Sequence, residues 1–182
     1  MTLLDFLSDP KWDTPFFKKL AHNDTGDAAG HMAGMVLPKD LRSYLPTLDE
    51  DTTTHDTPTI DRQLHAELFI GVTLVKDAAI RYQLQTWGGT RSAESRITEG
   101  FQPIRKTAHE DDIVIFQRRA KALDKFRLVL VPRSQQADYS SVVQSTKDRR
   151  WGPLFPYDLP VTQAELSQAG TEASDLEQQA FQ

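Results

Sequence analysis

The sequence predicts a mainly β fold, a barrel-like sheet carrying one or two brief helices. Two observations point there. Short runs rich in Val, Ile, Leu and Phe recur along the chain and are bounded by Gly, Pro, Asn, Asp or Thr clusters, the pattern of strands separated by turns. Helical spacing of apolar residues, by contrast, is confined to a few short stretches. No internal repeat interrupts this organisation.

Residues 1–13 read as a short apolar lead-in, with a helical turn or two through Leu3, Leu4, Phe6 and Leu7. Residues 15–20 form a first strand. The loop from Ala21 to Ala33 is rich in Gly, Ala, Asn and Asp, residues that tolerate unusual backbone angles. A second strand follows over 34–37. Residues 38–45 predict a short helix, with Pro38 near its start, Leu41, Tyr44 and Leu45 on one face and Pro46 as its stop. The Thr- and Asp-rich stretch 47–59 is a surface loop. Two longer strands are expected over 64–75 and 78–87, then a second Gly-bearing loop and a strand beginning at Arg96. Residues 112–116 and 126–131 are continuous apolar strands joined by a charged hairpin, 117–125. A short helix is expected within 137–145.

The chain has 182 residues, no cysteine and a net charge of −5. Without cysteine there is neither a disulfide framework nor a thiolate zinc site. No apolar run approaches the roughly 18–20 residues of a membrane span. The N-terminus carries an acid where a secretion signal would carry positive charge. A cytoplasmic, bacterial-type protein is the expectation. The acidity is uneven. Residues 158–182 hold five acids and no base, which leaves 21 acids against 21 bases in residues 1–157. The expected organisation is thus one domain, 1–157, followed by an acidic tail or linker, 158–182. Within the neutral body, the stretch from Arg81 to Lys106 has five bases and two acids. That suits a specific binder of nucleic acid better than an indiscriminate one.

The two Gly-bearing loops carry the chemistry. Guanine presents two acceptors in the major groove that Arg binds bidentately, and the cytosine amino group donates to a carboxylate. A loop offering Arg91, Glu94 and Arg96 therefore has the means to read G·C pairs, while Thr90 and Ser92 suit phosphate oxygens. The first loop offers Asn23, Asp24, Thr25 and His31, with Lys18 and Lys19 at its root. Asn favours adenine, Asp accepts from cytosine and His donates to guanine or phosphate. A bland reading stands beside each. The second loop is equally a solvated hairpin of weak Arg–Glu pairs, and Asn-Asp-Thr-Gly is equally an Asx-turn with Asp24 capping its own backbone.

The pattern K-K-L-x-x-N-D-T-G-x-x-x-G-H-x-x-G-x-x-x-P from Lys18 to Pro38 resembles the first arm of the N-terminal recognition domain of EcoRII-type restriction endonucleases. The residues Ile80, Tyr82, Gly88, Thr90, Arg91, Arg96, Ile97 and Thr98 are similar, in order and spacing, to its second arm, with one extra residue in the loop. The paired runs 112–116 and 126–131 are similar to the closing hairpin of B3-like domains. The resemblance covers about residues 15–145. It implies a B3-like open β-pseudobarrel of about seven strands with short helices, whose two arms enter the major groove and read 5′-CCWGG (W being A or T). Carried over by position, the DNA-binding residues are Lys19, Asn23, Asp24, Thr25 and His31 on one side. On the other they are Arg81, Thr90, Arg91, Glu94, Ser95 and Arg96. Ser95 stands where a Lys is expected, and Gln85 where a further base is expected. The partner is double-stranded DNA, bound by a monomer and without a cofactor.

The chemistry of cutting is expected elsewhere. No Glu-x-Lys pair follows a carboxylate as a metal-dependent nuclease requires, and no Walker loop or Gly-x-Ser-x-Gly elbow occurs. The expectation is a recognition domain, not itself an enzyme, linked to a nuclease domain in its parent protein. Two alternatives come from other classes. His22, Asp24, Asp27 and His31 fall within ten residues and offer metal ligands without a recognised spacing. Trp12, Trp87 and Trp151 offer aromatic surface to a protein partner.

Overall fold

The computed structural model describes residues 1–28, 34–156 and 179–180. The expected tail, 158–182, therefore lies outside the described residues except for that last pair.

Eight strands form one sheet that curls into an open half-barrel, and the fold is mainly β as expected. They are β1 (Phe16–Lys19), β2 (Met35–Leu37), β3 (Thr59–Ile70), β4 (Thr73–Gln85), β5 (Glu94–Glu99), β6 (Ile113–Arg119), β7 (Ala122–Val131) and β8 (Trp151–Pro153). Their spatial order is β2-β5-β4-β3-β7-β6-β1-β8. Every neighbouring pair is antiparallel except β3 and β7, which run parallel from His65↔Lys125 to Ile70↔Leu130. Among the residues described continuously through position 156, three short helices accompany the sheet: α1 (Leu3–Leu7), α2 (Gln102–Arg105) and α3 (Ser140–Ser145).

The apolar pattern of each strand follows from which of its faces is covered. In β6 and β7, Val114, Phe116, Phe126, Leu128 and Leu130 point into the barrel. Their neighbours Ile113, Ile115, Val129 and Val131 point outward beneath α1 and α3. Both faces are buried, so residues 113–116 and 128–131 read as unbroken apolar runs. Strands β4 and β5 bury one face only. Ile80, Tyr82, Leu84, Ser95 and Ile97 are inside, and Arg81, Gln83, Glu94 and Arg96 alternate with them on the outer side.

Helix α1 is held by a capping box, in which Thr2 Oγ1 accepts from Asp5 N at 3.1 Å and the Asp5 carboxylate accepts from Thr2. Arg127, 4% exposed, anchors the helix to the barrel. Its guanidinium lies 3.7 Å over the Phe6 ring and 4.6 Å over that of Trp12. It donates to Gln117 Oε1 at 2.7 Å and to the Phe6 carbonyl.

Several boundaries differ from expectation. The turn between the two long strands falls at Gly71-Val72, with Ile70 opposite Thr73, not at the polar Lys76-Asp77. Gly71 adopts φ +57, and a Cβ there would stand 2.2 Å from the Tyr139 hydroxyl; only glycine fits. Residues 39–43 form a 3-10 helix where an ordinary helix was expected. Strand pairing continues into the charged hairpin as far as Arg119↔Ala122, with a register shift between Arg118 and Arg119. Helix α2 and strand β8 were not foreseen. Each is at most four residues long, too short to leave a period.

Candidate nucleic-acid interface

The two loops leave from opposite ends of one ribbon. Strands β2 and β5 pair from Met35↔Ile97 to Leu37↔Ser95. The first loop feeds β2 at its Met35 end, and the second feeds β5 at Glu94, beyond the far end of the pairing. On the outer side of the ribbon between them lie Val36, Arg96 and Gln83, paired in register across β2, β5 and β4.

At the root of the first loop, Lys18 points into the barrel beside Phe16 and closes the seam that strand pairing leaves open between β1 and β2. Its ammonium lies 2.6 Å from Asp24 Oδ2 and donates to the Val36 carbonyl. Asp24, 2% exposed, is committed throughout. Its Oδ2 also accepts from Ala21 N at 2.9 Å, and its Oδ1 accepts from Val36 N at 3.2 Å. Thr25 is fully buried, and its hydroxyl donates to the His22 carbonyl at 2.8 Å. The expected base contacts of Asp24 and Thr25 are therefore corrected to structural ones, because neither side chain reaches solvent; Asp24 closes no Asx-turn either, since the backbone donors it accepts from are Ala21 N and Val36 N while Gly26 N donates to the Arg105 carbonyl. Asn23 remains exposed beside Asp24, His22 likewise, and His31 lies outside the described residues.

Helix α2 braces the same loop, since Gly26 N donates to the Arg105 carbonyl at 3.0 Å and Arg105 Nε to the Thr25 carbonyl at 3.4 Å. Asp27 meets His109 Nδ1 at 2.8 Å. That contact raises the His109 pKa above its ordinary 6.5, chiefly through the hydrogen bond and then through the carboxylate charge. The folded side chain holds its proton to higher pH than the unfolded one. The contact is thus full below 6.5 and fades as pH rises through the elevated value.

The second loop is built on three consecutive residues in the left-handed region: Trp87 (φ +56), Gly88 (+63) and Gly89 (+82). A Cβ at Gly88 would lie 2.9 Å from His55 Nδ1, so the 47–57 loop supports the turn from below. Trp87 is not a residue that takes this conformation readily, and such strain persists only where surroundings impose it. Here Gln85 Oε1 accepts from Trp87 N at 3.1 Å, and Thr86 donates from N and Oγ1 to the Pro58 carbonyl at 2.7 and 2.9 Å. Arg42 donates to the Ala93 carbonyl from beneath.

Trp87 then acts as a platform. The Arg91 guanidinium lies 3.5 Å from the centre of its ring and that of Arg96 lies 5.4 Å away. Arg91 is exposed, and among the described residues it has no carboxylate partner. Stacking holds the plane of a guanidinium while leaving its N–H edge free to donate. Arg96 is oriented differently: its Nε and Nη2 meet Glu94 Oε1 at 3.2 and 3.1 Å. Thr90 donates its hydroxyl proton to the Trp87 carbonyl at 2.8 Å.

Three further expectations meet the geometry. Ser95 is fully buried on the inner face of β5, so its phosphate contact is corrected to a packing role. Arg81, on β4, is paired with Glu99 and lies 3.5 Å from Asp61, so its charge is already met. Lys19 is partly exposed at the end of β1 and donates to the Lys147 carbonyl at 3.0 Å. The roles of Lys18, Arg42 and Trp87 were missed. Alternation signalled Lys18, which shares the inward face of β1 with Phe16; nothing local signalled that Trp87 would support an arginine.

Among the described residues, no group of three or more His, Asp or Glu side chains is gathered to hold a metal, and no helix is long and apolar enough to cross a membrane. Trp12 packs under Arg119 and Arg127, while Trp151 is exposed with its Nε1 3.2 Å from Asp40 Oδ2. No family model and no curated protein matches the chain.

Proposed function

We propose that this chain is a sequence-specific reader of double-stranded DNA whose two loops enter the major groove from opposite ends of the β2–β5 ribbon. The single observation that supports it best is Arg91, exposed, without a carboxylate and stacked on a tryptophan held in a strained turn. A guanidinium so placed is pre-organised to donate both N–H groups to guanine O6 and N7. Arg96 and Glu94 stand one turn of the pleat behind it, the pair that a G·C step would engage. The two loops differ in sequence, so one chain can grip both halves of a pseudosymmetric site, and no dimer is needed.

The resemblance to the EcoRII-type recognition domain names CCWGG as the site to try first, and the recognition part of a type II restriction endonuclease as the biological setting. With Asp24 and Thr25 engaged inside, base reading by the first arm falls to Asn23 and to the segment carrying His31, with Lys19 on phosphate. The test is a metal-free gel-shift titration of the chain on duplexes containing CCWGG, CCSGG (S being C or G) or a scrambled site, each at two salt concentrations. Binding confined to CCWGG is the expected result. Equal, salt-labile binding to all three would overturn the reading.

The same titration applies to two variants. Arg91→Ala is expected to lose roughly 1–3 kcal/mol of discrimination at a G·C pair while leaving the thermal transition unchanged, because its side chain supports nothing but its own stack. Arg96→Ala is expected to lose a similar amount and to free Glu94. Full discrimination in both would remove the second loop from the interface.

A further inference from the structure

We propose that a cleft at the root of the first loop binds the phosphodiester backbone of duplex DNA outside the bases that are read, extending the footprint by about two phosphates; this rests on the reading of the chain as a DNA binder. The cleft encloses about 350 Å³. Three separate elements bring cations to it: Lys19 from the end of β1, Arg133 from the turn after β7, and Lys147 and Arg150 from the stretch after α3. Its single acid is Asp111.

That acid is already engaged. Arg150 Nη1 lies 2.6 Å from Asp111 Oδ1. The carboxyl is held below its ordinary range by this hydrogen bond first, with the charges of Arg150, Arg133 and Lys19 adding to it. Four cations thus surround one carboxylate, an excess of three positive charges in one concave place. Lys18, Arg118 and Arg81 each face a carboxylate of their own, whereas among the described residues Lys19, Arg133 and Lys147 share only the one that Arg150 already holds. The chemistry that completes the cleft is an oxyanion carrying its own negative charge.

The backbone fixes the cleft to the loop. Asp111 sits in the left-handed region (φ +69) with its N–H on the Leu20 carbonyl at 2.9 Å, and Lys19 N donates to the Arg150 carbonyl at 2.8 Å. Leu20 is the last residue before the loop begins. A duplex gripped by the first loop therefore has its flank beside these cations. Arg133 and Lys147 are exposed and free to follow a phosphate, Arg150 is exposed but held by Asp111, and none of them belongs to the second loop.

The test compares the wild-type chain with an Arg133→Ala/Lys147→Ala double variant by fluorescence anisotropy. Two duplexes carry the same site, one with flanks of about four base pairs and one with flanks of about twelve. The salt slope of binding reports the number of phosphates neutralised, at roughly 0.9 per contact. On the long duplex the double variant is expected to bind about tenfold more weakly at low salt, with its slope smaller by about two. On the short duplex, and in discrimination between sites, it is expected to match wild type. A circular dichroism melt equal to wild type excludes a folding defect, and both side chains are exposed. Unchanged affinity and slope on the long duplex, with site discrimination intact, would overturn the cleft and leave the DNA-reading function standing. Loss of flank-dependent binding from a wild type that shows no site preference would keep the cleft and overturn the sequence reading. Absence of DNA binding by the wild type on either duplex overturns both.

Discussion

Lys18→Met destabilises the fold by roughly 3–5 kcal/mol, the cost of leaving one partner of a buried ion pair behind, and loosens the first loop with it. The ammonium by itself is not the source of this loss. Burial pushes the Lys18 pKa below its ordinary 10.5, and the Asp24 charge and hydrogen bond only partly offset that. The folded chain therefore releases this proton before the unfolded chain does. Its contribution is greatest above 10.5 and diminishes as pH falls through the depressed value, so at neutral pH the buried cation is tolerated because Asp24 and the Val36 carbonyl need it. Removing it leaves a 2%-exposed carboxylate facing only two backbone N–H donors. Urea unfolding reads the loss directly, and limited proteolysis reads the loop. The double variant Lys18→Met/Asp24→Asn should lie closer to wild type than the two single losses added together. Strict additivity would show that the two side chains do not act as one seam.

Arg127→Ala is the second large effect, expected at roughly 3 kcal/mol or more, since it leaves buried acceptors unpaired at about 1–3 kcal/mol each and removes stacking on aromatic faces. Gln117 Oε1 and the Phe6 carbonyl would lose their donor. Gln117 in turn holds the Leu7 and Asp13 carbonyls at 2.8 and 3.2 Å, so the disturbance spreads through the lead-in segment. Burial lowers the guanidinium to about 10, a sign of how little water reaches it. Arg127→Lys should recover only part of the loss, because one ammonium cannot serve both acceptors and lie flat on two rings. Denaturant titration measures the effect, and early proteolysis within residues 1–13 locates it. Discrimination between DNA sites should be unchanged in the fraction that remains folded. A stability equal to wild type would mean that α1 is held by its apolar residues alone.

How much of this was legible in the sequence follows from how many faces each residue presents to the interior. Strands β6 and β7, buried on both sides, announced themselves as apolar runs. The β3–β4 turn was misplaced because the stretch 71–75 is apolar while Lys76-Asp77 looks like a turn, and only the approach of Tyr139 to Gly71 decides between them. The second loop was located by Gly88-Gly89, yet the stacking of Arg91 on Trp87 depends on a backbone angle that tryptophan does not advertise. Asp24 shows the opposite case. Its residue type suits both a base contact and an Asx-turn, and it is held from either by Lys18, whose inward direction is set by strand alternation and not by its charge.

The placement of β1 has a consequence for how the molecule is made. This strand is flanked on both sides by residues made about a hundred or more positions later: Phe16 pairs with Phe116 in β6 and with Pro153 in β8. The parallel β3–β7 junction likewise waits for residues 122–131. Neither β1 nor the free side of β3 can complete its pairing until these later residues are made, and such non-local pairings carry a loop-closure cost that slows folding. Until Trp151-Gly152-Pro153 docks, β1 stands as an open edge able to accept a strand from another molecule. Once docked, this three-residue strand replaces β1 as the edge, and an edge so short offers little to pair with.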